Sequence, residues 1–161
     1  MNARFFARSR ARSAFLVVLA VSAVASAQQQ PAQPQPTLPR IALNAGMHVV
    51  QAEVANSFST RAFGLMYRKT MAPNHGMLFV FPAPEVHCMW MRNTYLPLSV
   101  AFIDEGGVIL NIADMQPQND SSHCATGSAR YALEMNQGWF AGKGIKPGTR
   151  LGGIEKAEGP R

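Results

Sequence analysis

From residue 41 onward the chain breaks into short apolar runs separated by glycine, proline and polar turn signals, a rhythm that leaves room for strands and little else. Residues 47–54 (MHVVQAEV) set Val50, Ala52 and Val54 on one strand face. Residues 76–81 (GMLFVF) form a second run, stopped by Pro82 and Pro84. Residues 86–92 (VHCMWMR) are apolar on both faces, as in a covered central strand. The runs 98–104 and 108–114 flank Glu105-Gly106-Gly107, which predicts a hairpin. Residues 129–135 place Ala129, Tyr131, Leu133 and Met135 together, and a last short strand is expected within 149–154. One helix is predicted over 57–68, where Phe58, Ala62, Leu65 and Met66 fall at helical spacing and Asn56 or Ser57 can cap the start. Gly64 inside it costs about 1 kcal/mol relative to alanine, so a neighbour is expected close to its backbone. Residues 136–141 suit a short turn of helix. The sum is a mainly β fold: a β-sandwich or partly open β-barrel with one short helix packed on the sheet.

The first 27 residues are expected to leave the mature protein. Arg4, Arg8, Arg10 and Arg12 give a cationic start, residues 14–24 (AFLVVLAVSAV) an apolar core, and Ala25-Ser26-Ala27 a small-residue cleavage site. The apolar core is shorter than the roughly 20 residues a membrane span needs. A periplasmic address with cleavage after Ala27 follows, and no membrane span after cleavage. Residues 28–40 (QQQPAQPQPTLPR) are Gln- and Pro-rich and read as a disordered linker. A single domain is expected over 41–154, with a polar tail at 155–161. Four of the fifteen basic residues precede the cleavage point, leaving eleven against nine acids. That near-balance removes the main support for a nucleic-acid partner.

Cys88 and Cys124 are the two cysteines, and in an oxidising compartment they are expected to pair. Two free thiols or two metal ligands are the rival readings. Pairing would remove unfolded-state entropy worth roughly 4 kcal/mol in the loop-closure picture. It would also tie down 116–128, the longest stretch without a regular pattern.

Taken in order, Arg61-x-x-Gly64-Leu65-Met66-x-Arg68, Gly76-Met77-Leu78-Phe79-Val80-Phe81, Trp90-Met91-Arg92-Asn93-Thr94, Pro97-Leu98, Ala101-Phe102-Ile103-Asp104, Met115-x-Pro117 and Leu133-Glu134 resemble the domain of unknown function 192 family over about 51–151. The resemblance implies a compact β-rich fold, often in exported bacterial proteins, and implies no reaction. Arg92 stands where the family usually carries lysine, which keeps the charge and changes the donor geometry.

Three constellations could carry function. Arg61 and Arg68, two helical turns apart, would share a face able to hold an anion, or else lie in solvent or pair with Asp104 or Glu134. Trp90, Arg92 and Asn93 set donors beside apolar walls, the make-up of a small-ligand pocket, or are core filler and a chain turn. His87, Met89, Met91 and Met115 offer soft ligands for Cu(I), though methionine is also an ordinary core residue. Enzyme motifs are lacking: no Gly-x-Ser-x-Gly, no Cys-x-x-Cys, no His-Glu-x-x-His, and no cofactor signature. The leading expectation is non-catalytic binding of a small anionic ligand or an envelope partner, at Arg61, Arg68, Trp90, Arg92, Asn93, Asp104 and Glu134. An envelope hydrolase using Asp104 or Glu134 and a Cu(I)-binding protein are the alternatives.

Overall fold

The computed structural model describes residues 32–160. The expected signal peptide (1–27) and the start of the expected linker (28–31) lie outside the described residues, as does Arg161.

Among the described residues, nine strands and two short α-helices follow in order: β1 Arg40–Ala45, β2 His48–Ala55, α1 Phe58–Phe63, β3 His75–Glu85, β4 Cys88–Met89, β5 Leu98–Ile103, β6 Ile109–Met115, β7 His123–Cys124, β8 Ala129–Asn136, α2 Trp139–Gly142 and β9 Leu151–Gly152. Seven strands build one curled sheet, a half-barrel, in the order β6-β5-β8-β3-β2-β1-β9, and β4 with β7 forms a separate ribbon. The fold is mainly β, as expected. β2 and β3 run parallel, linked across the sheet by α1; every other pairing in the large sheet is antiparallel.

Alternation along each strand divides the core. Leu78, Val80, Ala101, Leu133 and Met135 face one side, closed by Trp139, Phe140, Ile145, Leu151 and Ile154. Met77, Phe79, Val100, Phe102 and Ala132 face the other, closed by Leu65, Met91, Leu96 and Ala125. Neither sheet face is left to water, which is why β5 (LSVAFI) is buried at all six positions.

The hairpin appears as expected. β5 and β6 pair antiparallel, and the Asp104 side chain accepts from the Val108 amide at 2.8 Å while Gly107 adopts φ 81°. The capped helix also forms, with Ser57 as N-cap in a reciprocal capping box with Thr60.

Three expectations need correction. The helix ends at Gly64 instead of running to Arg68, because Gly64 takes φ 52° and caps it. The neighbour anticipated beside Gly64 is Phe79, whose ring lies 3.1 Å from where a Cβ would stand. The run 86–92 is no covered central strand: only Cys88 and Met89 are extended, in the ribbon, while Val86 and Trp90 are exposed at 62% and 45%. A short apolar run that lies over a sheet by its side chains looks the same in sequence as one that joins it. Third, β3 continues through Pro82 and Pro84 to Glu85; its register against β8 shifts between Val80 and Glu85, which accommodates residues lacking an N–H.

The part of the expected linker that is described, 32–40, makes specific contacts, and its last residue, Arg40, opens β1. Gln35 donates its amide to the Gly64 carbonyl at 2.7 Å, and the Leu38 amide donates to Glu53 at 3.0 Å. At the other end, Asn56 donates to the Gly159 carbonyl at 3.2 Å, within the expected polar tail.

Candidate functional site: a cleft around Arg61 and Glu134

A cleft of about 270 Å³ opens where α1 and the turn after it meet β3, β4 and Trp90. Its walls are largely apolar, with Phe58, Leu65, Phe79, Phe81 and Met89 among them, and its charged groups are Arg61 and Glu134.

Arg61 is placed by the capped helix, in its last turn. Its Nη1 donates to the Asn56 carbonyl at 2.5 Å and to the Val80 carbonyl at 3.0 Å. These bonds fix the guanidinium and use both hydrogens of one nitrogen, leaving Nε and Nη2 without a partner among the described residues. No carboxylate pairs with Arg61 among the described residues. Partial desolvation pushes its pKa below the ordinary arginine value.

Glu134 is placed by register. It sits in β8 between Met77 of β3 and Val100 of β5, both fully buried. Its own exposure is 4%, and no hydrogen bond or ion pair engages its carboxyl among the described residues. Burial in these surroundings raises its pKa to about 8, so near neutrality it is largely a carboxylic acid, able to donate. Thr94, also buried, lines the same cleft.

The other expected site residues are placed elsewhere or otherwise engaged. Arg68, released from the helix by the stop at Gly64, forms a two-pronged ion pair with Glu53 at 2.8 and 2.7 Å. Burial alone would raise the Glu53 pKa; the Arg68 fork, the Leu38 amide and Arg40 outweigh it and hold the carboxyl below its ordinary range. The shared helical face expected for Arg61 and Arg68 does not exist. Arg92 is exposed, forks onto Asp120 at 3.1 Å and lies 4.3 Å over the Trp90 ring. Asn93 turns the chain at φ 56°, and its carbonyl accepts from the Tyr67 amide. Trp90 lines the cleft mouth. Asp104 serves the β5–β6 turn, whereas Glu134 pairs with Val100, four residues before it. The two carboxyls are therefore set apart by four residues, roughly 13 Å along the strand direction.

The soft-ligand set is also dispersed in role. Met91 and Met115 are fully buried in the apolar core, Met89 lines the cleft, and His87 stacks on Phe81 with Nε2 at 2.9 Å from the Ala83 carbonyl. No group of three or more His, Cys, Asp or Glu residues is placed to hold a metal ion among the described residues.

Cys88 and Cys124 face each other in the ribbon and are joined by a disulfide. Cys88, Met89 and Trp90 all border the cleft, so the bond secures one of its walls to the 116–128 segment. Strict strand alternation would set Met89 on the opposite face from Cys88 and Trp90; two residues of strand are too few to enforce it.

Glu53 and Asp120 were not singled out in the sequence, although they decide the fate of two arginines. The available signal for Glu53 was an acid inside an otherwise β-forming run, which burial obliges to find a cation. Nothing marked Asp120 in its polar loop.

The chain resembles two solved structures. One is a candidate transcription regulator from Sinorhizobium meliloti 1021, at 39% identity and TM-score 0.67 over 71% of this chain and 92% of that one. The other is a protein of unknown function from Novosphingobium aromaticivorans DSM 12444, at 32% identity and TM-score 0.69 over 77% of this chain and 93% of that one. No curated protein matches the chain significantly. The family profile of DUF192, described as uncharacterized ACR, matches residues 41–153. The chain belongs to the DUF192 family.

Proposed function

We propose that this domain binds a small anionic ligand, without turning it over, in the cleft between Arg61 and Glu134. One observation carries the reading: Arg61 is fixed in the cleft wall by two backbone carbonyls, yet among the described residues no carboxylate answers its charge. Arg68 and Arg92 are neutralised by Glu53 and Asp120, so Arg61 is the cation left to recognise an anion there. The hydrolase alternative draws little support, because Glu134 is the one acid lining the cleft and Asp104 lies at a hairpin turn. The Cu(I) alternative would need two fully buried core methionines to leave their packing. The description of the Sinorhizobium relative suggests nucleic acid, but eleven basic residues against nine acids after the expected cleavage point give that partner no electrostatic basis.

We further propose that the protein works in the periplasm. The arginine-flanked apolar start supports this, as does the exposed disulfide, which an oxidising compartment preserves. Amino-terminal sequencing of the exported protein should begin at Gln28.

A thermal-melt screen of the oxidised protein against small carboxylates, phosphates and anionic sugars tests the binding reading. A ligand at a hundred times its Kd adds about 2.7 kcal/mol of stability, a shift of several degrees for a domain this size. The shift should vanish in Arg61→Ala. Indifference to every anion would defeat the proposal.

A further inference from the structure

Resting on that reading of the cleft, we propose that its ligand is a monocarboxylate with a compact apolar body, held side-on by Arg61 Nε and Nη2 and hydrogen-bonded by the Glu134 carboxyl. The charge balance selects a monoanion. Arg61 supplies one positive charge, and the two arginines that could have answered a second negative charge are already committed to Glu53 and Asp120. A dianion such as phosphate would bring an uncompensated charge against Phe79, Leu65 and Phe81, at a desolvation cost that nothing in the cleft offsets.

The donor geometry selects a carboxylate. With Nη1 spent on the Asn56 and Val80 carbonyls, Arg61 presents its Nε–H and an Nη2–H, two parallel donors that match the two oxygens of a planar carboxylate. Burial alone, with no hydrogen bond or charge beside it, sets the Glu134 protonation among the described residues, so a bound carboxylate gives its acid proton an acceptor. The cleft volume, about 270 Å³, is below the usual range of drug-sized sites, and its walls are apolar, which calls for a small hydrocarbon body.

Binding should then depend on the protonation of Glu134. The groups facing it from the surrounding strands do not titrate: Met77 and Phe79 on β3, Val100 on β5, Ala132 on β8. Arg61 is the charged group sharing the cleft; the paired Glu53 and Arg68 lie beyond Met77 in the same cross-strand row, and His87 stacks on Phe81.

Isothermal titration of the oxidised protein with benzoate, hexanoate, benzamide, hexanamide and inorganic phosphate tests the assignment. The two acids should bind, the amides at least about tenfold more weakly, and phosphate not measurably. Arg61→Lys, which keeps the charge and loses the fork, should weaken the acids about tenfold or more. Acid affinity should fall as pH rises through about 8 in the native protein and stay level in Glu134→Gln. If phosphate binds as tightly as the acids and both depend on Arg61, the anion site stands and the monocarboxylate class falls. If the native protein and Glu134→Gln share one pH profile, the assigned role of Glu134 falls. If no anion binds at all, the parent reading falls with it.

Discussion

Glu134 and Glu53 lie in one cross-strand row, separated by Met77, and have opposite electrostatic fates. Glu53 is buried with a forked arginine and a backbone donor, so its charge is retained; Glu134 is buried among apolar neighbours and holds its proton. Because the folded pKa of Glu134 lies above the unfolded one, the native state binds the extra proton between about 4.5 and 8. Stability from this group is full below that window and falls by about 1.4 kcal/mol per pH unit across it. Urea titrations from pH 5 to 8 should show Glu134→Gln gaining steadily on the native protein as pH rises; a constant difference would place the proton elsewhere. For Glu53 the sign reverses: its stabilisation is present above the unfolded carboxylate range and lost in acid. Arg68→Ala strands a buried carboxylate with Arg40 and the Leu38 amide as remaining support, and should cost about 3 kcal/mol by urea melt at neutral pH. At this scale the sequence exposed the arginines and concealed their partners, since Arg68 meets an acid fifteen residues earlier and Arg92 one twenty-eight residues later.

At the scale of elements, the sequence announced the start of α1 and misjudged its end. Ser57 and Thr60 satisfy each other's backbone amides locally, so the N-terminus is written in four consecutive residues. The stop depends on Gly64 adopting φ 52° beneath the Phe79 ring, a neighbour that arrives only when β3 docks. Gly64→Ala therefore meets both an unfavourable backbone conformation and an aromatic ring at 3.1 Å, and should destabilise by more than 1 kcal/mol, against the usual gain of an alanine inside a helix. Thermal melts of that variant decide which effect prevails. The β5–β6 hairpin was readable because its turn chemistry is contiguous. The β4–β7 ribbon was not, because two strand residues carry no periodicity and are brought together by a pairing across 36 positions.

Over the whole molecule, the curled sheet forms the base of the cleft, the covering segments 57–68 and 88–96 form its walls, and the segment 116–128 braces the second of these from behind through the Cys88–Cys124 bond. The first of these is anchored by helix capping and by Gln35, the last by the disulfide and by Asn111, which donates to the Cys124 carbonyl. Reducing Cys88–Cys124, or replacing both residues by alanine, should lower stability by roughly 4 kcal/mol in the loop-closure picture. It should also weaken ligand binding, since Cys88, Met89 and Trp90 would lose their tether. Calorimetric melts with and without a dithiol reductant measure the first effect and titration the second; identical melts would show that the bond constrains little. The sequence by itself determined the mainly β class, the hairpin and the capped helix start, because these follow from composition, local turn chemistry and short-range periodicity. Only the tertiary structure decided that Arg61 keeps a free edge while Arg68 and Arg92 are paired, and that Glu134 is a buried acid in the same cleft. Those outcomes depend on strand register and on contacts between residues far apart in the chain, where a shift of one residue would turn Glu134 to the opposite sheet face.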